Sequence, residues 1–237
     1  MTADLRPHNT GRPRTAPRYY RARYRRRRLG AAGAAVVAIV LIFSSAFGGS
    51  KSFAQPSRSS LAGLSLGARI VAIANSQVGY SSHPTDTYCN KFSAHWNVGN
   101  AGCPGGELSE EWCADFAAWA WQQAGVRFAY GYGQDEINAG AASFYRWGVD
   151  HGEWHPASSG YVAAPGDVAV YGLALGVDTS AAHVAIVTDD SAGQQGPDVI
   201  NGDGDRTGFS VVETGSDQLR ADASHGNRAP LAGYVSP

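Results

Sequence analysis

The chain has 237 residues with 43% hydrophobic and 11% aromatic content, enough to build one core of ordinary domain size with segments to spare. Its formal net charge of −1 hides an asymmetry: residues 1–28 hold ten of the nineteen basic residues and one of the twenty acidic ones. The remainder is an acidic body, which excludes the domain-wide basic surface that grips nucleic acid.

Residues 1–28 are arginine-rich and broken by Pro7, Pro13 and Pro17, and read as a disordered tail. Arg25 to Arg28 then abut Leu29 to Phe47, an uncharged apolar run close to the ~20 residues that span a bilayer. Arginines in front of such a run stay on the cytoplasmic side. A nucleic-acid-binding tail is the weaker reading, because the basic run leads straight into the apolar one. Two export readings follow. A cleaved signal peptide would use Ser52-Phe53-Ala54 as a loosely A-x-A-like site, whereas an uncleaved signal anchor would give a single-pass protein. The run exceeds the roughly 7–15 apolar residues of a signal peptide, which favours the anchor. Either way the body lies outside the cytoplasm, with the membrane as a partner through this segment. Residues 48–65 are rich in Ser, Gly and Ala and read as a flexible linker. One domain is expected over 66–237, with no internal repeat.

Leu66 to Val78 reads as a helix with Ile70, Val71, Ala74 and Val78 on its inner face, stopped by Gly79. A loop-rich segment follows, holding Cys89 and Cys103. With Cys113 the chain has three cysteines; in an exported protein that means one bridge and one free thiol, or an intermolecular bond. Cys89 and Cys103 share the loop while Cys113 lies on a helix, so the expected pair is Cys89–Cys103, with Cys103–Cys113 as the alternative. No Cys-x-x-Cys spacing appears, so a zinc site is not expected.

Residues 107–125, ELSEEWCADFAAWAWQQAG, carry the strongest helical signal. Cys113, Phe116, Ala117, Ala120, Trp121 and Ala124 fall on one face of a 3.6-residue period. Ser109 reads as the N-cap, with Glu110 and Glu111 in the first turn, and Gly125 as the C-terminal stop. A thiol thus stands at the positive end of a helix, where unpaired N–H groups and the dipole favour the thiolate, which is the nucleophile. An ordinary buried cysteine is the competing reading.

Residues 126–160 are rich in Gly and aromatics, with a short helix expected over 137–146. Trp147, Trp154 and Tyr161 suit either a substrate rim or, more ordinarily, half-buried packing. Pro165-Gly166-Asp167 is a turn leading into a strand at 168–172; further strands read at 183–189, 198–202 and 208–214. Helices followed by strands on short turns predict an α+β domain with helices packed on a mostly antiparallel sheet.

A catalytic cysteine needs a base beside it. His183 opens an apolar strand and is the best candidate, because the other six histidines lie in loop-like sequence. A third group should accept from its second ring nitrogen. Asn201 and Asp203, at the end of the next strand, are both placed to do so; a core histidine and two turn formers are the bland alternative. Asn201, Asp203 and Asp205 also match positions 1, 3 and 5 of a calcium loop. Arg206 stands where such a loop needs Gly, however, and Val212 where it needs Glu, so no metal and no cofactor is expected.

Four motifs in order, EWCADFAAWAWQQAGV, APGDVAVYG, HVAIVTD and VINGD, resemble the CHAP domains, cysteine- and histidine-dependent amidohydrolases/peptidases of the NlpC/P60-like, papain-like group. The resemblance covers about 66–237, and the basic single-span N-terminus looks like that of actinobacterial surface proteins. It implies a papain-like fold and hydrolysis of amide bonds in peptidoglycan, or of glutathionyl-polyamine amides, by a monomer. By position, Cys113 matches the nucleophile, His183 the base and Asn201 the orienting residue. Asp203 falls where many members carry Asn just beyond it. The Cys113 backbone N–H would hold the oxyanion, with Gln77 as a guess for a second donor. A wall-binding module and an acyl transferase are the competing functions.

Overall fold

The computed structural model describes residues 53–85, 87–189, 196–204, 210–216 and 229–237. The basic tail and the apolar run 29–47 lie outside the described residues, as do Asp205 and Arg206 of the calcium-loop pattern. Among the described residues no helix is long and apolar enough to cross a membrane.

Five short elements lead into the centre of the domain. Helical turn α1 (Arg58–Leu61) is capped by Ser57, whose Oγ accepts from the Ser60 N–H. Helix α2 (Leu66–Asn75) is capped in the same way by Ser65 and buries Ile70, Ile73 and Ala74. Of the expected inner face, Val71 and Val78 are only half-buried. Strand β1 (Cys89–Asn90) runs into α3 (Lys91–Trp96), where Asn90 is the N-cap. Strand β2 (Leu108–Ser109) pairs with β1, so Ser109 is a strand residue. Helix α4 (Cys113–Ala124) therefore starts later than its expected cap, with Trp112 as N-cap and Asp115 as the acid of its first turn. Gly125 closes it in the left-handed conformation, as the C-terminal stop requires.

Strands β3 (Ala129–Tyr130) and β4 (Glu136–Ile137) form a short parallel pair. Helix α5 (Ala142–His151) begins five residues later than expected. The reason is local: the Gly140 N–H donates to Asn138 Oδ1, and Ser143 Oγ accepts from the Asn138 N–H, so a turn occupies the positions expected to be helical.

The remaining strands are β5 (Trp154–Pro156), β6 (Val168–Tyr171), β7 (His183–Asp189), β8 (Asp198–Gly204), β9 (Val211–Ser216) and β10 (Leu231–Val235). They make one six-stranded antiparallel sheet in the order β5-β10-β6-β7-β8-β9. This is the expected α+β architecture.

Helix α4 packs on β7 and β8, and α2 and α3 pack on α4. The sheet is apolar on both faces. Val168, Val170, Val184, Ile186 and Ile200 join the helical core. Ala169, Tyr171, Ala185, Val187 and Val199 join a second cluster with Tyr161 and Tyr234. Alternation along a strand sends neighbours to opposite faces, so burial of both faces gives the continuous apolar runs VAVY and HVAIV. Helix α4 is enclosed likewise: Ala114, Ala118 and Trp119 are buried along with the expected face, because α2 and α3 cover the side turned from the sheet.

Candidate active site

The site forms where α4, β7 and β8 begin or end together. Cys113 is the first residue of α4 and is the free cysteine, because Cys89 and Cys103 form the disulfide. His183 is the first residue of β7. The sulfur of Cys113 takes backbone N–H donation from Val184, the neighbour of His183, and from Ala114 in its own first turn. Nucleophile and base candidates therefore stand at the starts of two packed elements.

Close packing of β8 on α4 depends on one glycine. A Cβ at Gly202 would lie 2.4 Å from the Phe116 Cβ, far inside contact distance, so only glycine lets the strand pass this near the helix. Asn201 and Asp203 flank that contact, and their side chains go to different places. Asn201 Oδ1 lies 2.9 Å from His183 Nε2, with both groups buried. A carbonyl oxygen only accepts, so in this contact Nε2 is the donor. Asp203 instead accepts at Oδ2 from the Trp112 N–H at 3.1 Å, and at Oδ1 from the Ser210 hydroxyl. Ser210 Oγ also accepts from Trp112 Nε1. Ile186 pairs with Ile200, so a continued register would set residue 203 opposite His183. Asp203 has φ 58°, however, and the β8–β9 register shifts between Asn201 and Gly204. The left-handed residue turns its side chain out of the alternation and toward the start of α4.

Electrostatically the thiol is held protonated. Burial, followed by the negative charge of Asp203, pushes the Cys113 thiol up from 9.0 to about 12; Asp115 adds to this, and the Val184 and Ala114 amides oppose it. Cys113 is 8% and His183 9% exposed, so the pair sits just under the surface.

Asp115 is the residue that sequence reasoning missed. Its carboxylate is fully buried, accepts from Ser93 Oγ at 2.6 Å and from the Tyr130 hydroxyl, and has its pKa raised, chiefly by burial. The available signal was an acid inside an otherwise apolar helical stretch, which must find partners when buried.

Gln77 corrects the guess of a second oxyanion donor. It is fully buried, and its Nε2 donates to Phe53 O at 3.0 Å and to Ser76 Oγ at 2.8 Å, so both amide protons are engaged. The aromatics are packing groups: Trp147 is buried against Trp121, Trp154 meets Tyr145, and Tyr161 stacks on His155. His155 is also not a bare loop residue, since it lies on β5 with Nε2 3.1 Å from Ser236 Oγ. Among the described residues no group of three acidic, His or Cys side chains is placed to hold a metal ion.

No protein-family model, no curated protein and no solved structure matches the chain.

Proposed function

We propose that the chain is an exported cysteine amidohydrolase acting on amide bonds of bacterial peptidoglycan, with Cys113 as nucleophile, His183 as general base and Asn201 as its orienting group. The observation that carries this reading is the junction at the head of α4: the Cys113 sulfur lies against the Val184 amide while Asn201 holds the Nε2 of the preceding residue, His183. In the proposed reaction His183 Nδ1 takes the thiol proton and sulfur attacks the amide carbonyl. The Cys113 N–H, at the positive end of the helix, stabilises the oxyanion. The imidazolium then protonates the leaving amine, and water resolves the thioester.

The resemblance to CHAP domains supplies the substrate class. Like the fold within the papain-like group and the placing of the chain at the outer membrane face, it stands as part of this proposal. An acidic body is repelled by a wall rich in phosphate polymers, so tethering through residues 29–47 brings the enzyme to its substrate.

Burial of the thiol and its elevated pKa favour one second reading, a wall-binding module that keeps the fold without cutting. The full-length protein and Cys113→Ser, incubated with purified peptidoglycan, separate the two. New amide-derived termini in the soluble products of wild type only, read by mass spectrometry, establish the hydrolase and name the bond. Retained wall binding without fragments from either protein establishes the module.

A further inference from the structure

We infer that Asp203 is a positioning residue for the nucleophile: it clamps Trp112, the residue before Cys113, both directly and through Ser210, and so sets its carboxylate beside the Cys113 thiol. The inference rests on the reading of Cys113 as the nucleophile.

The argument begins with a gap at the head of α4. Trp112 is the N-cap residue, and its side chain makes no cap hydrogen bond; the first N–H groups of a helix lack partners within it. Asp203 reaches across from β8 and accepts from the Trp112 N–H at 3.1 Å. Ser210 then joins the other carboxylate oxygen to the Trp112 indole, donating to Asp203 Oδ1 and accepting from Trp112 Nε1. Trp112 is held at its backbone and at its ring by one acid and one hydroxyl, and the next residue is Cys113. The ring is fully buried between Phe92 and Tyr80, so the clamp fixes where α4 starts and where the sulfur stands. The left-handed backbone of Asp203 is what aims its carboxylate at this task, while Asn201 contacts the histidine.

The electrostatic side follows from the same geometry. The charges that act on the sulfur are those of Asp203, from β8, and Asp115, from α4 itself, while His183 on β7 precedes the Val184 amide that donates to it. The two carboxylates raise the thiol pKa, Asp203 more than Asp115. Like charge disfavours the thiolate, so a bare thiolate does not accumulate, and deprotonation waits for His183 to take the proton.

The test is the pH profile of iodoacetamide labelling at Cys113 in the full-length protein, read by peptide mass spectrometry beside a thermal melt. Asp203→Asn keeps an oxygen for the Trp112 N–H and removes the charge. Its labelling midpoint is expected about one pH unit lower, which is roughly tenfold faster labelling at fixed pH below the midpoint. Ser210→Ala withdraws the hydroxyl that donates to Asp203 and leaves its charge less shared, so its midpoint is expected higher. Shifts of opposite sign support the inference, because simple loosening of the fold would speed labelling in both variants. A midpoint unmoved in Asp203→Asn, or shifts of one sign in both, would overturn it while leaving the hydrolase reading intact. If Cys113 resists labelling at every pH in all folded proteins, the nucleophile reading and this inference fall together.

Discussion

His183 Nε2 and Asn201 Oδ1 lie 2.9 Å apart in a buried contact, and in the proposed reaction that bond leaves Nδ1 as the base. Asn201 sits on β8 beside Gly202, where the strand touches α4, so the bond is as rigid as the packing around it.

Asn201→Ala should therefore weaken turnover more than binding. Without an acceptor the proton is free to move to Nδ1, which removes the base. General-base assistance supplies about 10²–10⁴-fold, so a kcat loss of roughly hundredfold is expected, with KM little changed. Asn201→Asp, which retains an acceptor, should recover part of the loss. Steady-state release of amide-derived termini from peptidoglycan measures both. An unchanged kcat in Asn201→Ala would remove Asn201 from the machinery.

Much of this site was legible in the sequence, because its parts are local signals: a cysteine opening a 3.6-period run, a histidine opening an apolar strand, and an NGD turn. The destination of Asp203 was not legible. Its partners are 91 residues back at Trp112 and 7 ahead at Ser210, and the change of direction needs a left-handed residue whose conformation the one-letter code does not mark. The start of α4 was misplaced for a related reason. Ser109 is a good cap by composition, but pairing with Cys89 in a two-residue ladder claims its backbone first. Strands β5 and β10 went unread: WHP and LAGYV are short, and Gly233 offers no side chain to the pattern.

The buried thiol gives a pH-dependent stability with a definite sign. Its pKa is raised in the folded chain from 9.0 to about 12. Below 9 both states hold the proton and nothing changes. Between 9 and 12 the unfolded chain loses the proton and the folded chain keeps it, so stability falls as pH rises. The slope tends toward about 1.4 kcal/mol per pH unit. Urea unfolding of wild type and Cys113→Ala at pH 8, 9 and 10 isolates this contribution, because other alkaline groups are common to both. The stability difference should change in favour of Cys113→Ala only above pH 9; a pH-independent difference would contradict the elevated thiol pKa.

The disulfide should matter to stability and not to the chemistry. Cys89 and Cys103 are 14 residues apart, and closing a loop of that length stabilises by about 3 kcal/mol in the chain-entropy model. Reduction should lower the urea midpoint accordingly, while hydrolysis at low temperature persists, since Cys113 takes no part in the bridge. Loss of activity on reduction, with the fold intact by circular dichroism, would tie the bridge to the site.

Phe53 extends the folded unit into the stretch whose composition reads as linker. Its ring meets Tyr80 edge-on at a centroid distance of 5.7 Å, lies 5.4 Å from Lys91 Nζ, and its carbonyl accepts from the buried Gln77 amide. Leu61, from α1, packs on the same core. Removing the ring in Phe53→Ala should cost about 2 kcal/mol, the order expected for a large apolar side chain that is only partly buried. Cleavage after Ala54 would cost more, because it also deprives the Gln77 amide of its acceptor. Chemical denaturation of chains beginning at 53 and at 55 measures the difference directly. A gap of that size means that a signal-peptide cut at Ser52-Phe53-Ala54 would release a weakened domain, and that the anchored form is the one the fold suits. Equal stabilities would show that Phe53 is a passenger on the surface of Tyr80, and would restore the cleaved form to equal standing.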